Sequence, residues 1–465
     1  MSKRLILVLA LAFVVSTSFA AYAGVQNIKV SGDINAIGII RDGFDLGYGY
    51  PSGSSEPQPK DINGSHQRLF ADQVRLRVDA DLTDNVSATV RLLQERGWGN
   101  TSGQVNGTDQ NNYNTNNTNN IGINLDLAYI TLKEFLYSPL TMTIGRQELM
   151  FGNKLIIGNG SQLANGAADY NNLPKDLSVS KAFDAIRATL NYDPLVIDAI
   201  YASVRNTVTT VDARENLYGV NVSYDITKKV NLQAYAFAKY DKSNNASSGA
   251  SSGNTKMNKV VATPGFLLTY HGQNLKASAE AAYQFGATNH AGTTTGAASE
   301  PKEVSAFALQ LLGDYTFNKL KMKPSIGGGY TWLSGNRGSR GGWDPMYQDE
   351  NLNNIAYAIL PFSNMRVGNV RGSIKPLEDV TLLANYGYYQ LDTAVSSLTN
   401  QYTNTVMAMN GSKNNLGSAL DLTVKYDYTE DVQLGLTYGS FWKGDAFLDN
   451  AHSAMQVVGN VKVVF

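Results

Sequence analysis

The residues of this sequence best suited to chemistry are arginines and carboxylates that recur at every second position within apolar segments. Segment 74–82 alternates valine, leucine and alanine with Arg75, Arg77 and Asp79, and Arg91 follows in the next segment of the same kind. The guanidinium group of arginine binds carboxylates through two parallel hydrogen bonds. Clustered arginines whose positive charge is partly neutralised by acidic partners would therefore bind an anionic sugar chain and still release it.

Charged residues that share one face of such segments are predicted to line a water-filled lumen. The predicted pore-lining or substrate-contacting residues are Arg75, Arg77, Asp79, Arg91, Asp126, Arg146, Glu148, Asp184, Arg187, Arg366, Arg371, Asp421 and Lys425. For each one taken singly, a cross-strand ion pair or a solvated wall position is the alternative interpretation. Arg146 and Glu148 reach the lumen only if a bulge at Gly145 resets the alternation. That bulge would turn Leu149 and Phe151 outward.

Residues for catalysis are scarce. The absence of cysteine excludes disulfides, thiolate zinc sites, iron–sulfur clusters and a cysteine nucleophile. No Ser-His-Asp grouping can be assembled from the spacing of the four histidines, which are His66, His271, His290 and His452. The sequence therefore predicts neither an enzyme nor a cofactor. Calcium at Asp344, Asp349 and Glu350 is possible, but a solvated acidic loop is the simpler interpretation.

The elements that carry these side chains are predicted to be β-strands. Successive strand side chains point to opposite faces, so strict alternation of apolar and charged residues is the pattern of a strand. Segment 74–82 turns at 83–85 and the alternation restarts at 86–92, and similar hairpins cover 218–238 and 420–438. A hairpin, rather than a domain, is what repeats. We therefore predict a single domain over 24–465.

Short turns alternate along the chain with long polar segments. This is the pattern of a transmembrane antiparallel β-barrel with short periplasmic turns and long extracellular loops, here with about 18 strands, or 16 to 18. A soluble β-sandwich also alternates, but its apolar face would be a packed core. A barrel of this size leaves an aqueous channel. The long polar segments are 42–65, 98–120, 152–181, 205–214, 242–257, 287–302, 334–354, 391–415 and 441–452.

Both ends of the chain predict the outer membrane of a diderm bacterium. Lys3 and Arg4 precede the apolar run 5–15, and 21–23 offers a small-x-small cleavage site, so residues 1–23 are predicted to be a signal peptide cleaved near Ala23. Phe465 ends the chain in phase with the apolar face, as in the signal that barrel-assembly machinery recognises. Beyond the N-terminus no segment approaches the roughly 18 apolar residues of a membrane-spanning helix. A net charge of -1 argues against nucleic acid as a partner.

Several phrases of the sequence resemble the alginate-export family of outer-membrane barrels. In the middle of the chain they are 126–129, 145–147 and 183–185, whose sequences are DLAY, GRQ and FDA. Near the end they are 416–422 and 438–444, which read LGSALDL and YGSFWKG. Their order and spacing span most of the chain. The chain is thus similar to the family as a whole.

The resemblance implies an 18-stranded barrel that passes an anionic polysaccharide through an arginine-lined pore. Carried over by position, it implies that Arg146, Asp184, Arg187 and Asp421 are pore residues. The lumen inferred from alternation is less basic than an alginate conduit should be, so small hydrophilic solutes remain possible. The alternatives are a general diffusion porin and a structural barrel plugged by a loop, since 152–181 is long enough to fold inward.

Overall fold

The computed structural model describes residues 26–46, 66–98, 123–160, 173–208, 212–244, 256–288, 302–336, 338, 340–401 and 406–465. The predicted signal peptide and its cleavage site lie outside these described residues. Among the described residues, no helix is both long and apolar enough to cross a membrane.

Eighteen antiparallel strands form one closed barrel, in which β1 pairs with both β2 and β20. The strands are β1 (Asn27–Asp42), β2 (His66–Thr83), β3 (Val86–Gly97), β4 (Asn124–Leu132), β5 (Leu140–Glu148), β6 (Ala182–Asn191), β7 (Leu195–Val208), β8 (Asp212–Thr227), β9 (Val230–Asn244), β10 (Lys256–His271), β11 (Leu275–Thr288), β12 (Lys302–Thr316), β13 (Ser325–Leu333), β14 (Met365–Ile374), β15 (Val380–Leu391), β18 (Asn415–Asp427), β19 (Val432–Lys443) and β20 (Ala454–Val464). A separate hairpin, β16 (Ser397–Thr399) and β17 (Val406–Ala408), and a short helix, α1 (Asn354–Ile359), lie in the connections. The predicted all-β antiparallel barrel of about 18 strands is confirmed.

The apolar face of the strands is the outer surface of the barrel. Val30 and Leu76 are 59% and 40% exposed, although both are large apolar residues. Tyr224, Tyr315 and Tyr426 are also exposed on this surface, close to the short turns. Such a surface is stable only against lipid, and tyrosines at its edge match an interfacial girdle.

The C-terminal residue completes the closure of the barrel. The backbone of Phe465 exchanges hydrogen bonds with Gly32 of β1, at 2.8 Å and 3.0 Å. A Cβ atom on Gly32 would lie 2.8 Å from the Phe465 ring, so glycine makes room for the ring on the outer surface. Recognition of Phe465 by assembly machinery stays a prediction.

The hydrophobic core lies inside the barrel, towards its extracellular end. About half of its members come from the long connections, and these include Phe44, Leu155, Tyr347, Ile359 and Phe447, all nearly inaccessible to solvent. We call the connection between β5 and β6, residues 149–181, inner loop 1, and the connection between β13 and β14, residues 334–364, inner loop 2. The described residues of both loops contact lumen-facing residues of the wall.

Candidate functional site

The wall formed by β1, β2 and β3 presents paired charges to the lumen. Arg75 Nη2 lies 2.8 Å from Asp33 Oδ2, and Arg77 Nε lies 2.7 Å from Asp79 Oδ2. Thr89 donates a hydrogen bond of 2.7 Å to Asp79. The structure thus places Arg75, Arg77 and Asp79 on the predicted face, but each arginine is neutralised by a carboxylate.

Arg91 connects three strands through two ion pairs. Its Nε lies 2.6 Å from Asp126 Oδ2, and its Nη2 lies 2.6 Å from Glu148 Oε1. The register of β3 and β4 shifts next to Arg91, so both Asp126 and Leu127 are buried on the lumen side. This irregularity, which alternation alone does not indicate, brings the Asp126 carboxylate under the guanidinium group.

Two further predicted arginines make similar pairs on later strands. Arg187 Nε lies 2.8 Å from Asp198, which is buried. Arg371 reaches across β13 to Asp314, with Nε and Nη2 at 2.6 Å and 2.5 Å from the two carboxylate oxygens. β13, the strand between Asp314 and Arg371, has Gly327 at this level. A Cβ atom on Gly327 would lie 2.0 Å from Asp314 Oδ1. Glycine is therefore required for this pair to form.

Asp421 and Lys425 share the lumen face of β18 but have different surroundings. Asp421 is buried and accepts a 2.6 Å hydrogen bond from the backbone N–H of Asn354, the first residue of α1. Asp421 thus anchors inner loop 2 to the wall. Lys425 is exposed on the same face, nearer the periplasmic turn. Of the two, only Lys425 is available to a solute.

Arg146 and Asp184 face outward, contrary to the prediction. Asp184 follows the buried Phe183 and precedes outward-facing Ile186 by two positions, so alternation sends its carboxylate to the lipid side. Arg146 Nη1 lies 3.3 Å from Asp184 Oδ1 across the ladder. Both residues lie near the extracellular ends of their strands. The cost of an outward charge falls there to about 0–1 kcal/mol, and the pair is mutually neutralised.

The predicted bulge at Gly145 is wrong. Both ladders of β5 keep their register through Gly145, and a Cβ atom there would lie 2.2 Å from the Ala128 carbonyl oxygen. Close approach of β4, together with a φ of 124°, explains the glycine. Leu149 and Phe151 are buried at 0% and 6% exposure rather than facing lipid. Glu148 nevertheless meets Arg91, as its predicted lumen role requires.

Arg366 also lies on the outer surface, whereas it was predicted to line the lumen. Its neighbour Val367 is buried towards the lumen, and its guanidinium carbon lies 4.6 Å from the centre of the Trp332 ring. Its Nη2 lies 2.6 Å from Asp392 Oδ1. Burial would raise the pKa of Asp392, but hydrogen bonds from Gly335 N–H, Arg366 and Trp332 hold it below its usual value.

Inner loop 2 is the functional element that sequence reasoning missed. Its Asp344 binds Lys239 at 3.5 Å and also binds Lys259, and its Tyr347 hydroxyl donates a 2.9 Å hydrogen bond to Glu215. Burial would raise the pKa of Asp344, but the two lysines hold it well below its usual value. The loop is therefore attached to the wall by buried polar contacts.

The solvated-loop interpretation of the acidic residues is accordingly wrong. Asp349 is bound by Lys154 and Lys181, and Asp344 by the wall lysines, so both carboxylates serve as anchors. Among the described residues, no group of three His, Asp or Glu side chains could hold a metal ion. A signal for this loop was present in the sequence: the apolar content around Trp343 and 355–359 is high for a segment exposed to water.

Inner loop 1 is attached both to the wall and to inner loop 2. The Asn153 backbone N–H donates a 2.8 Å hydrogen bond to Glu280 of β11, which is buried. Backbone hydrogen bonds join the two loops, from Tyr347 N–H to Ile156 O at 2.9 Å and from Gly158 N–H to Tyr347 O at 2.8 Å. The possibility that 152–181 folds inward is thus realised in its described part. The described parts of the two loops are thus joined to each other inside the barrel.

Glu350 of inner loop 2 has a carboxyl group whose pKa is shifted by its surroundings. Burial raises the pKa of Glu350 to about 7, and nearby Glu280 adds to this, whereas Arg371 and Lys154 oppose it. A folded-state pKa above the ordinary value of 4.5 stabilises the inward loop at low pH. That stability is lost as the pH rises through about 7.

We therefore expect a higher single-channel conductance at about pH 8 than at about pH 5. Glu350→Gln should reduce the difference, because the amide does not titrate. Glu378→Gln, at an exposed turn, is the matched control and should preserve it. Equal pH dependence of the two variants in planar bilayers would contradict the assignment.

Comparison with known proteins agrees with this architecture. The sequence model of a family described as alginate export matches residues 62–460. The chain belongs to the alginate-export family. The match extends from the segment before β2 into β20 and thus covers nearly all of the barrel. This member of the family is an outer-membrane β-barrel, and its outer surface contacts lipid.

Solved structures show the same fold at low sequence identity. Pseudomonas aeruginosa OccK8 (OprE) has 12% identity and a TM-score of 0.53, with 95% of this chain and 99% of that chain covered. Acinetobacter baumannii OccAB3 has 12% identity and a TM-score of 0.53, with 95% and 100% covered. P. aeruginosa OccK3 (OpdO) has 10% identity and a TM-score of 0.52, with 95% and 96% covered. No curated protein matches the chain.

Proposed function

We propose that this barrel is a passive outer-membrane channel for an anionic solute, either an acidic polysaccharide or a small hydrophilic anion. Family membership supports the transport role. Inner loops 1 and 2 would set the width of the channel, and the lumen wall would set its selectivity.

The observation that carries the proposal is a group of lysines on one side of the lumen. Lys29, Lys425 and Lys462 lie on the lumen faces of β1, β18 and β20, and none lies within 4 Å of a carboxylate among the described residues, although Lys29 is opposite Asp79, which Arg77 pairs. The arginines are matched by carboxylates and contribute little net charge. These lysines therefore attract anions, although Asp81 and Asp427 lie at the periplasmic rim of the same wall.

The test is anion selectivity of the purified protein in planar bilayers, with uronate oligomers as blockers. At about 8 Å in water, each cation attracts a monovalent anion by roughly 0.5 kcal/mol. Lys29→Gln, Lys425→Gln and Lys462→Gln combined should therefore weaken uronate block about tenfold at low salt, and less at high salt because of screening.

Lys228→Gln combined with Lys229→Gln is the control, since both lysines are exposed on a periplasmic turn. Uronate oligomers should block the current through this control variant as strongly as they block the unaltered protein. Unselective current without uronate block would favour the general diffusion porin. Absence of any current would favour the plugged structural barrel.

A further inference from the structure

The outward-facing basic residues of the strands are concentrated at one end of the barrel. Among the strand residues whose side chains are described, alternation and register place the outward-facing arginines and lysines near the long-loop end, and these residues are Arg68, Arg96, Arg146, Arg214, Lys242 and Arg366. That end lies at the extracellular side of the membrane. Arg96, Arg146 and Arg366 are paired with Asp72, Asp184 and Asp392, so these three add little net charge, whereas Arg68 forms no ion pair among the described residues.

A groove on the lipid-facing surface lies beside two of these arginines. It crosses β18, β19, β20 and β1, encloses about 580 Å³, and is bordered at its upper end by Phe70 and Trp98. Small-molecule sites enclose about 300–1,000 Å³. The groove is therefore large enough for a ligand of that class, and its lining is apolar.

A glycine on β20 leaves the groove open, whereas the Phe70 ring lies 3.0 Å from the Cβ position of its glycine partner on β1. Gly38 of β1 and Gly459 of β20 are register partners, so two neighbouring strands lack side chains at the same level. A Cβ atom on Gly459 would find its nearest neighbour, Leu436 Cδ1, only at 3.8 Å. A substituent there would project into empty space rather than into the wall. The notch is thus open to a lipid chain.

Arg68 lies on the extracellular side of the aromatic border of the groove, whereas Arg96 is level with Asp72, on its periplasmic side. Phe70 and Trp98 stack with ring centres 5.5 Å apart, and Arg68 and Arg96 are each two residues from one of these rings on the same face. Asp72 accepts a 2.8 Å hydrogen bond from Trp98 Nε1 and lies 3.9 Å from Arg96. Arg68 is exposed and forms no ion pair among the described residues.

We propose that this surface binds a phosphorylated glycolipid of the outer leaflet, with one acyl chain in the groove and a phosphate at Arg68. The opposite end of the groove cannot hold a phosphate, because Glu430, Asp431 and Asp84 occupy the adjacent periplasmic turns. A lipid in the groove therefore has its anionic head at the extracellular side. Each basic group near a membrane surface adds about fivefold to the affinity for an anionic lipid.

The experiment is native mass spectrometry of the detergent-solubilised full chain, titrated with bis-phosphorylated lipid A. Gly459→Leu fills the groove and should weaken binding, and Arg68→Gln removes a head-group contact and should weaken binding about fivefold. Gly313→Leu is the control for the first, since Gly313 faces lipid on β12 with nothing within 4 Å of its Cβ position. Lys228→Gln with Lys229→Gln controls for charge.

Removing the phosphates from lipid A should weaken its binding to the unaltered protein. The loss should equal the loss that Arg68→Gln causes for bis-phosphorylated lipid A, because both changes remove the same contact. Heat-modifiable migration in gels verifies that every variant has folded. Equal binding by Gly459→Leu and Gly313→Leu would overturn the proposal. Equal competition by phosphatidylglycerol would also overturn it, because the occupant would then be any anionic lipid rather than a glycolipid.

Discussion

Removal of residues 344–362 is expected to raise the single-channel conductance several-fold. The ends of this segment meet, since the Ser363 hydroxyl donates a 2.5 Å hydrogen bond to the Trp343 carbonyl oxygen. Two glycines can therefore join Trp343 to Ser363 without disturbing β13 or β14. The deletion removes Tyr347 and α1 from the lumen, and an 18-stranded barrel without such filling leaves a wide aqueous channel.

The control replaces the same residues by a glycine-serine segment of equal length. That segment lacks the anchors Asp344 and Tyr347, so its conductance should be noisy and intermediate between those of the deletion and the unaltered protein. Measurements belong in planar bilayers at neutral pH, with heat-modifiable gel migration to verify folding. A deletion whose conductance equals that of the unaltered protein would mean that inner loop 2 does not constrict the path.

Loss of Arg91 is expected to have the largest effect on stability of any lumen substitution. Arg91→Gln leaves Asp126, whose side chain is 0% exposed, without its cation, and also deprives Glu148 of its partner. Breaking a buried ion pair from one side typically costs about 3–5 kcal/mol, because the remaining charge stays buried. The free energy of unfolding from lipid vesicles by urea should fall by this amount.

Arg77→Gln is the matched control for the Arg91 substitution. The side chains of Arg77 and Asp79 are 37% and 33% exposed, so water compensates when the pair is broken. The expected cost is at most about 1 kcal/mol. Similar costs for the two substitutions would show that Asp126 is hydrated, and the proposed role of Arg91 as the link between β3, β4 and β5 would be wrong.

Alternation predicts facing correctly where a strand is long and regular. Arg75, Arg77, Arg187 and Arg371 lie on the lumen side because the apolar residues beside them must face lipid, and a period of two leaves no other arrangement. Their carboxylate partners are less predictable. Asp314 is two strands from Arg371, and only the register of three strands brings them together.

Near the extracellular ends of strands, alternation no longer predicts which face a charged residue takes. Arg146 and Arg366 face outward because the interface tolerates a paired charge, so the requirement that charges face the lumen no longer holds there. Residues Leu149 and Phe151 were expected to face lipid because they are apolar. They are buried instead by the loops inside the barrel, a second apolar environment that a local pattern does not reveal.

By itself, the sequence determines the barrel, its approximate strand number and its orientation, because lipid on one side and water on the other impose a period of two on every strand. It does not determine how the lumen is filled. That depends on contacts between residues far apart in the chain, such as Tyr347 with Glu215 and Asp344 with Lys239. Only the tertiary structure decides such contacts, since a loop's buried partners leave no periodicity in its own sequence.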